Sequence, residues 1–319
     1  MCSSDLVEVK HLPVALDRCI ELMTPSITNS KYPVIVDATL GLGGHSFELL
    51  SRFPQLRIIA IDRDNTALNF AKSRLEKFSG RVTFNQAIFS AFSEILKLNH
   101  LEKIDGAIFD LGVSSMQLDS SDRGFSYAKA APLDMRMDQS KGITAQEVIN
   151  TYEKSDLIRI LREYGEERFA NKIAENLIKN RGLINNSSQL VELVKNSIPA
   201  PARRIGGNPA KRTFQALRIE VNGELKAIEI AIPAALAALK VGGRLVVLSY
   251  QSLEDKIVKK FFNEATKTNT PRGLPVELPN SGAKFKVITR GSETASQDEI
   301  LKNPRSQSLR LRAIERLAA

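Results

Sequence analysis

The chain has few of the side chains that bind metals or form cross-links, with two cysteines and three histidines among 319 residues. Cys2 and Cys19 lack any metal-ligand spacing, so we expect neither a disulfide scaffold nor a structural zinc site. Three histidines are also too few for a His-rich metal cluster. We therefore predict a metal-free protein of a reducing cytosol.

Long hydrophobic runs are absent as well. The most apolar stretch, 227–239, contains Glu229 and Pro233 and is too short to span a bilayer. The first ten residues are polar and carry two acidic side chains, unlike a signal peptide. These features predict a soluble, cytoplasmic protein with no membrane contact.

Acidic residues are outnumbered by basic ones, 36 to 45, which leaves a formal net charge of +9. Phosphates attract clustered Lys and Arg, so this surplus favours RNA or DNA as a partner, although a merely basic enzyme would show the same balance. Apolar residues at 43% and charged residues at 25% are ordinary globular values.

Short apolar runs rich in β-branched residues predict strands. They are nearly continuous in apolar character, as expected of strands covered on both faces, and helical patterns separate the early ones. This alternation predicts a parallel, doubly wound sheet. The predicted strands are 32–37, 56–62, 81–87, 105–111, 243–250, 284–290 and 309–314.

Between about residues 120 and 212 the pattern is helical. Helices are predicted at 145–152, at 155–180 with an interruption at Gly165, and at 187–197. We therefore predict an α/β domain formed by 1–119 and 213–319, with an all-helical insertion, 120–212, as the RNA-recognition domain.

A glycine-rich turn, DATLGLGGHS (37–46), follows the first predicted strand. Such turns at the carboxyl ends of parallel strands bind nucleotides, and Asp62, at the end of the second strand, is placed for ribose hydroxyls. A dinucleotide and S-adenosylmethionine both fit so far. Ser46 replaces the third glycine of the dinucleotide fingerprint, and Asp37 suits a ligand with a cationic ammonium, so S-adenosylmethionine is favoured.

Six motifs occur together and in order, and they closely resemble the ribosomal RNA small-subunit methyltransferase H family, the 16S rRNA cytosine-N4 methyltransferases. The likeness runs from HLPV (11–14) to NPRS (303–306), essentially the whole chain. The motifs are DATLGLGGHS (37–46), DLGVSS (110–115), RGFS (123–126), PLDMRMD (132–138), YGEE (164–167) and RTFQALR (212–218).

The resemblance implies a Rossmann-like S-adenosylmethionine-dependent methyltransferase fold with an inserted all-helical domain. It implies N4-methylation of a cytidine in the decoding region of 16S rRNA, in the small ribosomal subunit or a late assembly intermediate. The cofactor contacts that it implies are Gly43, Gly44, His45, Asp62, Phe89, Asp110 and Gln117. Phe89 would stack on adenine, and His45 is either a loop-capping residue or a general base.

Two positions depart from the family pattern. Gln251 stands where the family usually has a histidine before SLED (252–255), and Gln307 lies in a terminal motif that is usually richer in Arg. Glutamine cannot titrate near neutrality. If that histidine were an essential base, activity would be affected, whereas a supporting role would tolerate Gln251.

Asp110 is the candidate catalytic residue. The cytosine amine is a poor nucleophile because its lone pair is conjugated into the ring, so an acceptor for its proton is expected. Many amino-methyltransferases place a Pro-Pro-aromatic motif after the fourth strand, but this chain has DLGV (110–113) there. The Asp110 carboxylate is therefore either the proton acceptor or a cofactor ligand.

Three functional interpretations remain. The runner-up to the methyltransferase is a non-catalytic RNA-binding assembly factor, which Gln251 favours. A nicotinamide-dependent oxidoreductase is disfavoured by Ser46 and by the motif set. Basic residues around a Gly-Pro loop are either phosphate contacts or part of a solvated loop; they are Arg203, Arg204, Lys211 and Arg212.

Overall fold

The architecture is given by a computed structural model that describes residues 13–120, 122–127, 130–203, 208–268 and 282–318. Within these residues, seven strands form a single sheet in the order β3-β2-β1-β4-β5-β7-β6. The strands are β1 (Val34–Asp37), β2 (Arg57–Asp62), β3 (Val82–Gln86), β4 (Ile104–Asp110), β5 (Leu239–Ser249), β6 (Phe285–Val287) and β7 (Arg310–Arg316).

Five strands run parallel, and β7 is antiparallel to both of its neighbours, β5 and β6. The strand order reverses at β1, which pairs with β2 on one side and β4 on the other. In open α/β sheets, ligands bind at the carboxyl ends of the strands beside such a reversal. The topology therefore predicts a ligand site at the carboxyl ends of β1, β2 and β4.

Fourteen α-helices lie within the described residues. They are α1 (Leu16–Thr28), α2 (Gly44–Arg52), α3 (Asn65–Arg74), α4 (Phe92–Leu98), α5 (Ser115–Asp119), α6 (Ala145–Thr151), α7 (Lys154–Glu163), α8 (Ala170–Lys179), α9 (Ser187–Ser197), α10 (Ala200–Arg203), α11 (Lys211–Asn222), α12 (Glu224–Ala238), α13 (Ser252–Ala265) and α14 (Gln297–Lys302).

The Rossmann-like α/β class predicted from the sequence is confirmed. All four residues of β1 are buried, as are six of the seven residues of β4. Burial along both alternating faces requires cover on both sides of the sheet, which is why these strands have continuous apolar sequences. The predicted strand at 243–250 begins earlier, since β5 starts at Leu239.

The chain divides into two compact units. The first comprises 1–62, 66–111 and 230–319, and the second comprises 63–65 and 112–229. The described part of the second unit is helical and has its own apolar core, in which α11 contributes Phe214, Ala216 and Leu217. Because α11 packs on α7, this unit continues beyond residue 212, where the predicted insertion ends.

In the first unit, the SLED motif (252–255) fastens α13 to the sheet. Glu254 accepts the backbone N–H groups of Tyr250 at 2.9 Å and Gln251 at 3.1 Å. Asp255 receives two hydrogen bonds from the Arg312 guanidinium on β7, at 2.6 and 3.0 Å. Although burial acts in the opposite direction, these bonds hold the pKa of the Asp255 carboxyl below its ordinary value. The motif therefore fixes the chain where β5 ends.

Candidate active site

The glycine-rich loop joins β1 to α2, and Asp62 holds it in place. The Gly41 N–H donates to Asp62 Oδ2 at 2.8 Å, which ties the loop to the end of β2. Gly43 has φ of 73°, in the left-handed region that favours glycine. Asp62 is thus anchored through one carboxylate oxygen at the edge where a ribose is expected.

Asp37, at the end of β1, is an internal support of this loop. It is 3% exposed, accepts the Ser46 hydroxyl at 2.6 Å and accepts the Thr39 N–H at 3.3 Å. Burial raises the pKa of the Asp37 carboxyl, and the bond from Ser46 opposes the rise. Ser46, which breaks the dinucleotide fingerprint, is therefore the hydrogen-bond donor that a buried carboxylate needs.

Gly44 has a packing reason for lacking a side chain. A Cβ at this position would lie 2.3 Å from Cγ of Pro13, so any larger residue would displace the segment that precedes α1. This contact explains the glycine without a ligand. The predicted role of Gly44 in cofactor binding remains a prediction.

Asp110 is more accessible than Asp37 at this edge. Its side chain is 29% exposed, Oδ1 accepts the Tyr250 hydroxyl at 2.7 Å, and its backbone N–H donates to Thr39 Oγ1 at 2.6 Å. Burial raises the pKa of the Asp110 carboxyl, whereas His45 and the Tyr250 hydroxyl lower it. A partly exposed carboxylate with raised proton affinity is suited to accept a proton.

His45 lies in the first turn of α2 and is 7% exposed. Its Nε2 lies 3.0 Å from the Val14 carbonyl oxygen, which can only accept, so Nε2 carries the proton. The other ring nitrogen, Nδ1, faces Asp110 Oδ2 at 4.0 Å. The ring therefore lies between the segment before α1 and the acidic edge, by which we mean the end of the sheet where Asp37, Asp62 and Asp110 terminate β1, β2 and β4.

The two remaining predicted contacts differ in their surroundings. Phe89, half-buried after β3, packs edge-on against Phe109 of β4 with ring centroids 5.8 Å apart. Gln117 belongs to the second unit, where its Nε2 donates to Asp64 Oδ2 at 3.0 Å and its Oε1 accepts the Ser114 N–H. Asp64 also pairs with Arg123 at 3.1 Å. Both cofactor roles remain predictions.

The contact between Asp110 and Tyr250 was not found from the sequence. The two residues are 140 positions apart and meet because β4 and β5 are parallel neighbours. Gln251, the next residue, has a buried Oε1 without a hydrogen-bond partner among the described residues. The only indication in the sequence was that Tyr250 lies two residues before the SLED motif (252–255).

The basic loop of the second unit is partly used by the fold itself. Arg203 Nε donates to the Ile198 carbonyl at 2.6 Å, and Arg212 Nη1 donates to the Glu166 carbonyl at 2.7 Å. Lys211 is exposed, and Arg204 lies outside the described residues. Lys211 and the remaining donors of Arg212 are therefore the candidates for phosphate contacts.

Two kinds of feature are absent from the described part of the chain. No group of three or more His, Cys, Asp or Glu side chains is arranged to hold a metal ion there. Among the same residues, no helix is both long and apolar enough to cross a membrane.

The fold and the acidic edge together define a class. A sheet in the order 3-2-1-4-5-7-6 with β7 antiparallel, and carboxylates ending β1, β2 and β4, is the arrangement of Rossmann-like S-adenosylmethionine-dependent methyltransferases. The cofactor is a sulfonium cation with an ammonium group and a ribose diol. Asp62 and Asp110 supply hydrogen-bond acceptors and Asp37 adds negative charge, so the residues present fit this group.

The comparisons identify the family. The profile of the MraW methylase family matches residues 8–317, and the chain belongs to this family. A "Ribosomal RNA small subunit methyltransferase H" of Mycobacterium sp. (strain KMS) is 53% identical over 316 residues, covering 98% of this chain and 85% of that protein. A protein of the same name from Rhodococcus opacus (strain B4) is 54% identical over 317 residues, covering 97% and 94%. The predicted family membership and methyltransferase class are confirmed.

Solved structures are more distant. An rRNA methylase from Streptococcus thermophilus aligns with a TM-score of 0.44 at 12% identity, covering 94% of this chain and 95% of that one. A putative rRNA methylase from Clostridium thermocellum gives the same TM-score and identity, covering 96% and 99%. At this level of similarity, neither structure informs the site.

Changing Asp62 tests the loop as a cofactor site. Asp62→Ala should weaken S-adenosylmethionine binding by about 1–3 kcal/mol, because the variant no longer offers a charged acceptor for hydrogen bonds. Titration calorimetry measures this directly. Asp62→Asn is the matched control, since its amide oxygen still accepts the Gly41 N–H and separates loop ordering from charge. A folded Ala variant with unchanged affinity would remove Asp62 from the site.

Proposed function

We propose that this methyltransferase transfers a methyl group from S-adenosylmethionine to the N4 amine of a cytidine in the decoding region of 16S rRNA. The full-length matches to proteins named ribosomal RNA small subunit methyltransferase H support ribosomal RNA as the substrate. The six family motifs, which occur together and in order, support the amine of a cytidine as the methyl acceptor. The observation that carries the chemistry is the partly exposed, hydrogen-bonded Asp110 carboxylate at the end of β4.

The proposed reaction needs little covalent chemistry from the protein. The cofactor supplies an electrophilic methyl group on a cationic sulfur. The cytidine N4 forms the new bond to this methyl group while the bond to sulfur breaks, and the amine loses one proton. This chain's residues must orient the amine and accept that proton.

Asp110 suits this task better than Asp37. Asp37 is buried and its carboxylate accepts two hydrogen bonds within the loop, whereas the Asp110 side chain is 29% exposed. A proton taken up by Asp110 Oδ2 would lie on the side of the carboxylate that faces His45 Nδ1, 4.0 Å away. In this proposal a carboxylate accepts the hydrogen of the amine, a role that a backbone acceptor has in enzymes with the Pro-Pro motif.

The cofactor contacts belong to the proposal as a set. Asp62 would bind the ribose hydroxyls, Phe89 would stack on adenine, and the loop would lie against the methionine portion. The loop residues in this set are Gly43, Gly44 and His45, and its remaining members are Asp110 and Gln117. The left-handed backbone of Gly43 supports the role of the loop, because a residue without a side chain lets a backbone approach a ligand closely.

The second unit is proposed to bind the RNA, in the cytoplasm and within the small ribosomal subunit or a late assembly intermediate. A net charge of +9 and an exposed Lys211 at the start of α11 support an anionic partner. The target base has to be unstacked to reach the acidic edge, so single-stranded RNA or a flipped nucleotide is expected.

The alternative of a non-catalytic assembly factor has less support. It depended on Gln251, but this residue lies at the N-terminus of α13, and its backbone binds Glu254 at 3.1 Å. The hydroxyl that reaches Asp110 comes from Tyr250 instead. A glutamine at 251 therefore leaves a proton acceptor in place.

Asp110→Asn separates proton transfer from cofactor binding. If Asp110 accepts the amine proton, the single-turnover methylation rate at saturating S-adenosylmethionine should fall by about 10²–10⁴-fold. Loss of a cofactor ligand alone would instead weaken affinity and spare the saturated rate. The substrate is the small subunit isolated from cells that lack this gene. A rate within about threefold of wild type would leave the acceptor to be sought elsewhere.

The RNA-binding role of the second unit is tested by salt dependence. Changing Lys211 and Arg212 to Ala should reduce the slope of log affinity against log salt by about 0.7–0.9 for each phosphate that the variant no longer binds. The matched control changes the exposed Lys259 and Lys260 of α13 to Ala, which removes the same charge elsewhere. Equal slopes for wild type and the 211/212 variant would exclude this loop from the RNA surface.

A further inference from the structure

We infer that Tyr250 is a positioning residue whose hydroxyl holds Oδ1 of Asp110 and leaves Oδ2 to take the proton from the cytidine amine. The inference rests on the proposed function, in which Asp110 is the proton acceptor. Its starting observation is the 2.7 Å hydrogen bond from the Tyr250 hydroxyl to Asp110 Oδ1.

The sheet brings the two residues together. Asp110 ends β4 and is in register with Leu248 of β5, and Tyr250 follows the end of β5 at Ser249. Because β4 and β5 are parallel, both side chains emerge at the edge where β1 ends. The pairing therefore follows from the register of the central strands.

Tyr250 itself is held firmly. Its backbone N–H donates at 2.9 Å to Glu254, which is 1% exposed, and its ring packs against the apolar core of the first unit. Glu254 lies in the first turn of α13, and Asp255 beside it pairs with Arg312 of β7. A hydroxyl on such a support can fix the plane of a carboxylate.

The donor direction of this bond is settled by the phenol. Burial and the neighbouring Asp110 raise the pKa of the Tyr250 hydroxyl well above its ordinary value, so the phenol stays protonated and donates. Asp110 Oδ2 accepts no hydrogen bond from any residue that the structure describes, and it lies 4.0 Å from His45 Nδ1. One oxygen thus accepts the phenol hydroxyl, and the other faces His45 Nδ1.

Four groups face or influence this pair. They are Asp37 at the end of β1, His45 on α2, Cys19 on α1 and Glu254 on α13. Burial raises the pKa of Asp110, while His45 and the Tyr250 bond lower it. Removal of the phenol hydroxyl therefore raises the pKa of Asp110. Since the ionised carboxylate is the acceptor, methylation should then fail at a higher pH than in the wild type.

The test compares Tyr250→Phe with Tyr152→Phe. Tyr152 is the matched control because its hydroxyl also donates to a carboxylate, Glu220, at 2.8 Å, but in the second unit. In Tyr250→Phe the acidic limb of the single-turnover pH profile should move up by about one pH unit, the scale of one hydrogen bond to a charged group. The Tyr152→Phe profile should keep the wild-type midpoint.

One further measurement and one further variant make the outcome decisive. A ¹³C NMR titration of the Asp110 carboxyl in the free protein should show the same upward shift in Tyr250→Phe. If Tyr250→Phe does not fold, 3-fluorotyrosine at position 250 replaces it, because this stronger donor keeps the packing and should lower the Asp110 midpoint.

An Asp110 titration that is unmoved by Tyr250→Phe, or a pH profile that shifts equally in Tyr152→Phe, would overturn the inference. Failure of the proposed function looks different: wild-type protein would then methylate no cytidine in the small subunit. The NMR titration would still decide whether Tyr250 sets the proton affinity of Asp110.

Discussion

Two carboxylates, the buried Asp37 and the partly exposed Asp110, end neighbouring parallel strands at one edge of the sheet, and the surrounding structure has to stabilise their charge. Ser46 and the Thr39 N–H serve Asp37, while Tyr250 serves Asp110. Thr39 also binds the Asp110 backbone, so one residue joins the two strand ends. Unpaired buried charges are costly, which explains why a serine occupies a position where dinucleotide enzymes have glycine. The same negative charge suits a cationic methyl donor.

Residues near the C-terminal end of the sequence also stabilise this edge of the sheet. The two acids of the SLED motif are structural: Glu254 accepts the backbone N–H groups of Tyr250 and Gln251, and Asp255 pairs with Arg312 on β7. The antiparallel β7 thereby fixes the segment that carries Tyr250. The last strand of the chain thus contributes to the geometry of a site built mainly from the first 110 residues.

The sequence predicted the sheet well because its parallel strands are buried on both faces and are therefore continuously apolar. It made no prediction for residues 13–31, where α1 forms with Pro25 inside the helix. Asp62 and Asp110 could be selected as strand-end acids from local pattern alone. The role of Tyr250 could not, because the contact between residues 110 and 250 depends on β4 and β5 being neighbours. Likewise, the packing of Gly44 against Pro13 has no local signal.

The central claim is that the acidic edge performs cytidine N4-methylation in the small-subunit rRNA. Mass-spectrometric analysis of nucleosides from 16S rRNA tests it most directly, in cells with the gene, without it, and with the Asp110→Asn gene restored. The account predicts that N4-methylated cytidine disappears without the gene, returns with the wild-type gene and does not return with the variant. An unchanged nucleoside profile in cells that lack the gene would contradict the account.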